Sequence, residues 1–332
     1  MNYREFLDYR CGLRAEQPHL LDLGELNLWQ VLNHLIPRLP AMTPVHHHRC
    51  HLAEKWAATF GAPAECAKRA LVSQGVRSSL SLIFPVLRKL AAEVWLPADV
   101  YPVYGELATA CDLPYSLFPT FPKLTLPERG DCLLLPNPLK PLGRWLWSSE
   151  VAALLAWLKA KPHRRLLLDV VYTFGNDWHE TTRALLDSGQ CILLHSLSKG
   201  WLRPQVFGIA LVPEVDWERF APVFRMNSMA QENLQEAAWL LTDRRCLPDA
   251  VAAELKQMWI RLLEKLRPEI ATIVAQRVDG EVSSYLVAVP WGAEELRAKE
   301  GILSIPATVF GSTHQDWSIL SMLLNSSHDS KS

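Results

Sequence analysis

An apolar run ends in two hydroxyl residues and a lysine at Leu194-His195-Ser196-Leu197-Ser198-Lys199-Gly200-Trp201. The run at residues 191–194 is uniformly apolar, which favours a strand buried on both faces with Lys199 just beyond its end. A lysine in a partly dry site can have a depressed pKa, and its amine is then a nucleophile able to form a Schiff base. The hydroxyls one and three residues before it can bond a phosphate. The alternative is a lysine that points into solvent.

An aspartate stands in a second apolar run, about 30 residues upstream, at Asp169 within residues 165–171. Burying a carboxylate there costs several kcal/mol unless a cation or a strong donor meets it. A protonated pyridine nitrogen is one such partner, and Tyr172 then lies within reach of a hydroxyl on the same ring. The alternative is an aspartate at the end of a strand that caps the following turn.

Apolar runs alternate with amphipathic helix patterns over residues 93–212, and this alternation predicts an α/β fold. Most of the runs are too uniformly apolar for a sheet with one wet face, so we expect a parallel or mixed sheet buried on both faces. We place a large domain at residues 46–214 and a smaller α+β domain at 1–45 plus 215–332. The predicted strands are 93–96, 131–135, 165–171, 191–194, 206–212, 283–289 and 301–305, and the predicted helices are 77–94, 148–160, 179–188, 233–242 and 248–278.

Composition and charge exclude several classes of protein. The 332 residues are 49% hydrophobic and 21% charged, which is typical of a globular chain rather than a disordered one. A formal net charge of −1 provides no positive field for a polyanion, so nucleic acid is not an expected partner. Seven cysteines without a CxxC pair predict reduced thiols in the cytoplasm, with no disulfide framework and no metal site. The sequence shows neither an export signal nor an apolar run of about 18 residues, so we expect no membrane span.

Six segments in register resemble the class I/II aminotransferase group of fold-type I enzymes, which use pyridoxal 5'-phosphate (PLP). Ser196-Leu197-Ser198-Lys199 is similar to the SxSK segment of that group, and Asp169-Val170-Val171-Tyr172 is similar to its DEAY-like segment. The resemblance covers about residues 44–311. The other matching segments are Ser73-Gln74-Gly75-Val76 (the turn that opens a helix toward the cofactor phosphate), Tyr101-Pro102-Val103-Tyr104 (PxYxxY), residues 137–143 (NPxNPTG) and residues 306–311 (PGxxFG).

The resemblance implies a mostly parallel seven-stranded sheet sandwiched by helices, a homodimer, and PLP held on Lys199 as an internal aldimine. It gives catalytic roles to Lys199, Asp169 and Tyr172, with Lys199 moving the proton and Asp169 keeping the pyridine nitrogen protonated. Tyr101 would stack on the pyridine ring, and no metal is implied. The implied cofactor-binding residues are Gly75, Val76, Arg77, Tyr101, Asn137, Lys140, Asp169, Tyr172, Ser196, Ser198, Lys199 and Arg203.

The sequence departs from the pattern of the group where anions bind. Lys140 replaces the second asparagine of the NPxNPTG loop, and no arginine follows Arg297, although the group has one soon after its PGxxFG loop. Phe207 replaces a phosphate-binding arginine, for which Arg203 is our candidate substitute. We therefore expect Lys140 and the segment His46-His47-His48-Arg49 to bind the carboxylate of the substrate, unless the substrate has no free α-carboxylate.

These residues predict an aminotransferase in small-molecule biosynthesis that acts at the Cα of an amino acid or amine. The alternatives are a PLP-dependent decarboxylase, lyase or oxidase with atypical carboxylate recognition, and a homologue that keeps the fold without catalysis. A dinucleotide-binding oxidoreductase is disfavoured because no GxGxxG segment follows a strand.

Overall fold

The computed structural model describes residues 1–41, 47–62, 64–100, 102–277 and 283–324. Its strands are β1 (Leu21–Asp22), β2 (Ala70–Ser73), β3 (Val94–Pro97), β4 (Tyr115–Phe118), β5 (Cys132–Pro136), β6 (Arg165–Asp169), β7 (Cys191–Ser196), β8 (Gly208–Leu211), β9 (Leu286–Val289), β10 (Ile302–Leu303), β11 (Ile305–Pro306) and β12 (Ser318–Ser321). Its α-helices are α1 (Tyr3–Glu16), α2 (Leu28–Val31), α3 (Arg49–Thr59), α4 (Ala64–Lys68), α5 (Val76–Lys89), α6 (Val103–Ala110), α7 (Ser148–Lys159), α8 (Glu180–Leu186), α9 (Trp217–Met226), α10 (Gln231–Asp243), α11 (Leu247–Lys265), α12 (Pro268–Arg277) and α13 (Ala293–Glu300). Short 3-10 helices lie at Asn33–Leu35, Glu214–Asp216 and Ala307–Phe310.

A seven-stranded sheet forms the centre of the fold, in the order β2, β8, β7, β6, β5, β3, β4. Strand β8 is antiparallel to both of its neighbours and the other pairs are parallel, which confirms the predicted mostly parallel sheet. Asp169 pairs with Leu194 across β6 and β7, and Ser196 pairs with Gly208 across β7 and β8. The sheet therefore brings the end of the aspartate strand beside the segment that leads to Lys199.

Helices cover both faces of this sheet, which explains the uniformly apolar strands. All five residues of β5 and all six of β7 are buried. In β7, His195 contacts Trp56 of α3, whereas the next residue, Ser196, lies beside Gly75 at the start of α5. Because successive side chains of a strand point to opposite faces, α3 and α5 cover opposite faces of the sheet.

The structure differs from the sequence-based expectation at the edges of the central sheet and in two other segments. Strands β2 and β4 were not predicted, and β4 lies at an edge with its first three residues exposed, so it shows no apolar run. The predicted helix 248–278 is two helices, because the residue before Pro268 is disfavoured in helical conformation. The predicted strand 301–305 is divided between β10 and β11, which belong to different sheets.

Two smaller sheets lie outside the central one. Strands β11, β12 and β9 form an antiparallel sheet in that order, and β1 pairs in parallel with β10. The N-terminal strand thus joins the C-terminal part of the chain, in line with the proposed smaller domain, whose exact limits stay a prediction. Among the described residues, no helix combines the length and the apolar character needed to cross a bilayer.

Candidate active site

Lys199 lies in the turn that follows β7, inside a group of aromatic side chains. Its Nζ donates a hydrogen bond of 3.1 Å to the hydroxyl of Tyr285. The same Nζ is 4.4 Å from the centre of the Trp29 ring and 5.2 Å from the centre of the Tyr172 ring. Ring faces attract an amine, so these contacts direct the half-buried side chain toward the rings rather than into bulk solvent. The solvent-directed alternative for Lys199 is therefore not what the structure shows.

Asp169 is the last residue of β6, and its carboxylate is buried and partnered on both oxygens. Its Oδ1 accepts the backbone N–H of Val171 at 2.9 Å, and its Oδ2 accepts the hydroxyl of Tyr104. The Nζ of Lys140 lies 3.5 Å from Oδ2. Burial, followed by the charge of Asp169, raises the pKa of Tyr104 well above its usual value, so this phenol keeps its proton and remains a donor.

Lys140 belongs to the same cluster as Lys199. Its Nζ lies 4.2 Å from the centre of the Tyr172 ring, so the two lysine amines both contact that ring. Burial lowers the pKa of Lys140; the charge of Asp169 opposes this effect, whereas the charge of Lys199 adds to it. The structure thus places a second amine, more easily deprotonated than an ordinary lysine, beside the predicted catalytic lysine and aspartate.

Tyr285 and Trp29 belong to the site but were not among the predicted residues. Tyr285 stands just before β9 and accepts a 2.9 Å hydrogen bond from the hydroxyl of Tyr172. Burial, with Tyr285 as the next cause, raises the pKa of Tyr172 well above its usual value. The indole N–H of Trp29 donates to the carbonyl of Ser198 at 3.0 Å. One feature of the sequence could have indicated Tyr285, which is the only tyrosine after Tyr172. No local sequence pattern indicated Trp29.

A second group of polar atoms lies where α5 begins. Gly75 precedes α5 with φ +155°, and a Cβ on the facing Gly208 would lie only 2.5 Å from its Cα, so both positions need glycine. The hydroxyls of Ser196 and Ser198 are 2.6 Å apart, and a Cβ on Gly75 would lie 4.0 Å from the Cβ of Ser196. Free backbone N–H groups and the helix dipole make a helix N-terminus attractive to a phosphate, and neighbouring hydroxyls add donors. Val76 and Arg77 form the first turn of this helix.

Two of the predicted cofactor ligands have other partners. The amide of Asn137 donates to the hydroxyls of Thr181 and Thr182 at 3.0 and 2.9 Å, which ties the loop after β5 to the start of α8. The guanidinium of Arg203 donates to the Pro37 carbonyl at 2.6 Å and forms an ion pair with Glu236. Their roles toward a cofactor stay predictions.

The segment expected to supply further cations is only partly described. Arg49 begins α3, and its guanidinium donates to the backbone carbonyls of Phe224 and Asn227 at the end of α9. Tyr101 and His46 lie outside the described residues. Among the cations predicted to bind a carboxylate, the described structure therefore places Lys140 beside Lys199.

Comparison with known proteins yields structural matches at low sequence identity. No protein-family model matches the chain, and no curated protein sequence matches it. The L,L-diaminopimelate aminotransferase of Chlamydomonas reinhardtii superposes with a TM-score of 0.68 at 14% identity, over 98% of this chain and 92% of its own. A Thermus thermophilus aspartate aminotransferase double mutant gives 0.68 at 16% identity, over 97% and 92%. The chain has the fold of these aminotransferases.

A third match broadens the chemistry that this fold hosts. A Corynebacterium diphtheriae protein assigned as a PLP-dependent beta-cystathionase superposes with a TM-score of 0.61 at 17% identity, over 90% of this chain and 85% of its own. The predicted fold class, a fold-type I architecture, is confirmed. Since one fold serves several reactions, function has to be argued from the site itself.

Proposed function

We propose that the chain is a PLP-dependent aminotransferase that acts on the amino group of an amino acid. The observation that carries this proposal is the meeting of Lys199, Asp169 and Tyr172 around one small volume, with Lys140 bridging from Asp169 to the Tyr172 ring. An amine nucleophile, a buried carboxylate and a phenol in this arrangement match the three requirements of a pyridine cofactor: a covalent anchor, a partner for the ring nitrogen and a hydrogen-bonding partner for the ring hydroxyl.

The donor set of the site fits PLP. The N-terminus of α5 at Gly75 and the hydroxyls of Ser196 and Ser198 are suited to the phosphate. Asp169, buried and already oriented by Val171, is suited to hold a proton on the ring nitrogen. When bound, PLP supplies an electron sink for the bond that breaks at the substrate Cα.

The residues of the chain would then carry out the proton transfers. With the cofactor in place, Lys199 would hold and move the proton of the substrate Cα, which requires its amine to lie within hydrogen-bond distance of that atom. Tyr172 keeps its proton because its pKa is raised, so it acts as a hydrogen-bond donor rather than as a base. Trp29 and Tyr285 cover part of the surface around the amine, which would strengthen its polar contacts.

Lys140 is the group we propose for the carboxylate of the substrate. It is the predicted cation that lies beside Lys199, and an ammonium can hold a carboxylate, although without the planar fork of an arginine. Transamination is our first choice over decarboxylation, elimination or oxidation because the structural matches include proteins named as aminotransferases.

Two further features belong to the proposal. We expect a homodimer, since the resemblance implies a site completed by a second copy, and sedimentation of the PLP-loaded protein tests this. A cytoplasmic location is supported by the seven cysteines, all of which are free thiols.

The deciding experiment is borohydride reduction of the PLP-loaded protein followed by peptide mass spectrometry. We expect a visible absorption band that reduction abolishes and a pyridoxyl group on Lys199. Lys199→Ala should lose both, whereas Lys89→Ala, at the exposed end of α5, should keep both. A pyridoxyl group on Lys140, or no adduct at all, would overturn the assignment. Incubation with a panel of amino acids then separates formation of pyridoxamine 5'-phosphate from release of carbon dioxide.

A further inference from the structure

The hydroxyl of Tyr285 uses its full hydrogen-bonding capacity at the centre of the site. It accepts from the Nζ of Lys199 at 3.1 Å and from the hydroxyl of Tyr172 at 2.9 Å. Its own O–H makes a long hydrogen bond of 3.5 Å to the carbonyl of Leu26. A phenol has one proton to donate and two lone pairs, so these three partners account for all of them.

These partners come from three separate parts of the chain. Lys199 and Tyr172 follow strands of the central sheet, Leu26 precedes α2, and Tyr285 precedes β9. The backbone of Tyr285 is held in place, since its carbonyl accepts the N–H of Met322 at 3.0 Å. The Tyr285 ring is buried and lies 5.3 Å, centre to centre, from the Tyr172 ring. A rigid element outside the central sheet therefore presents this hydroxyl to Lys199.

We propose that Tyr285 is a further catalytic residue, whose hydroxyl fixes the direction of the Lys199 amine and links it to Tyr172. This inference rests on the proposed function. A lysine amine sits on four rotatable bonds, so holding it in one position costs conformational entropy. A nucleophile or proton carrier has to be held in such a position. The contacts with Trp29 and Tyr172 attract the amine toward ring faces but are less directional than a hydrogen bond. Tyr285 supplies that direction.

The test compares Tyr285→Phe with the unaltered protein in two measurements that need no turnover. Phenylalanine keeps the ring contact with Tyr172 and removes the hydroxyl alone. We expect the rate at which the PLP-free protein captures PLP to fall about threefold to tenfold, the range for one hydrogen bond, with a similar loss of PLP affinity. The melting temperature of the PLP-free protein reports separately on folding. Tyr9→Phe is the matched control, because the Tyr9 hydroxyl donates to exposed Glu294 in α13, and its loss should leave PLP capture unchanged.

A double-mutant cycle distinguishes a catalytic network from simple packing. Tyr172→Phe should also slow PLP capture, and combining it with Tyr285→Phe should cost less than the product of the two single effects, since both variants break one shared network. 3-Fluorotyrosine at position 285 has nearly the shape of tyrosine but is a weaker acceptor, so it keeps the fold and should give an intermediate capture rate.

The outcomes separate the two proposals. If the unaltered protein captures PLP on Lys199 while Tyr285→Phe captures it equally fast and equally tightly, the role of Tyr285 is wrong and the proposed function stands. Multiplicative effects of the two phenylalanine variants would likewise reject the link to Tyr172. If the unaltered protein forms no adduct on Lys199, the proposed function fails and the role of Tyr285 fails with it.

Discussion

Strand β7 has polar side chains on both faces of the central sheet. On one face they lie among polar and charged partners, and on the other they lie among aromatic rings. On one face Ser196 bonds the hydroxyl of Ser198, and just beyond the strand end Lys199 lies in the cluster where Asp169 has three partners. On the other face, His195 is completely buried among the rings of Trp56, Phe60, Trp178 and Trp201. Its Nδ1 accepts the indole N–H of Trp56 at 3.1 Å, and its Nε2 has no hydrogen-bond partner among the described residues.

The contrast shows what burial does to a titratable side chain that has no charged partner. Burial without a charged partner lowers the pKa of His195 to about 3, so it is neutral at physiological pH. On the Lys199 face, cations, a carboxylate and phenols lie within contact of one another. A cavity of about 510 Å³ opens on the histidine face, lined in part by Trp56, Phe60 and Trp178. We place the proposed active site on the Lys199 face because of its matched polar groups.

The largest expected effect comes from removing charge on the Lys199 face with Asp169→Asn. Asparagine keeps the shape and can still accept from Tyr104, but a neutral amide holds a proton on a pyridine nitrogen poorly. We expect the fold and PLP binding to persist and kcat to fall about tenfold to a hundredfold, the range for a hydrogen bond to a charged group. Single-turnover kinetics measure this. Asp187→Asn, exposed at the end of α8, is the control. A near-normal kcat in Asp169→Asn would show that Asp169 only caps the turn after β6.

A smaller effect is expected from Lys140→Ala. Losing a charged contact to a carboxylate, about 1.5–3 kcal/mol, should raise the KM for the amino acid roughly tenfold or more while the PLP absorption band stays in place. Lys159→Ala, exposed at the end of α7, should leave KM unchanged. A shifted absorption band with constant KM would instead show that Lys140 bonds the ring hydroxyl of the cofactor.

The pH dependence of KM gives an independent check on Lys140. Burial lowers the pKa of Lys140, so its charge is lost as pH rises through a value below that of an ordinary lysine. If the ammonium binds the carboxylate, KM of the unaltered protein should begin to increase at a pH below the pKa of an ordinary lysine. Lys140→Ala should remove that increase.

The comparison also shows what the sequence could predict. Strands β5, β6 and β7 are buried on both faces, so their uniform apolar runs were readable. Asp169 ends β6, and Lys199 lies in the turn after the neighbouring strand β7. A charged side chain so close to a buried strand costs free energy unless it has a partner. Strand β4 was missed because its first three residues are exposed at the sheet edge, and β2 was missed because it is only four residues long.

The rest of the site depends on contacts between distant parts of the chain. Tyr285 reaches the carbonyl of Leu26 across 259 residues, and Trp29 reaches Ser198 across 169. No local pattern encodes these distances, because packing of the smaller sheets against the central one creates them. The sequence therefore pointed to the proposed catalytic residues at the ends of the central strands and did not point to Tyr285 and Trp29, which other elements bring to them.

The smallest expected effect on the proposed site comes from the other face, with His195→Gln. Glutamine offers Trp56 an acceptor but does not titrate, so PLP capture should be unchanged while the pH dependence of stability changes. In the unaltered protein the pKa of His195 is about 3, against 6.5 for a free side chain, so between these values the unfolded chain binds the extra proton. The free energy of unfolding should therefore fall as pH drops below about 6.5, by up to about 1.4 kcal/mol per pH unit from this group. Urea titrations at pH 7, 6 and 5 should show a shallower decline for His195→Gln, whereas exposed His34→Gln should follow the unaltered protein. Parallel declines for all three proteins would mean that His195 is not held neutral by burial, and the contrast between the two faces of β7 would then rest on the Lys199 side alone.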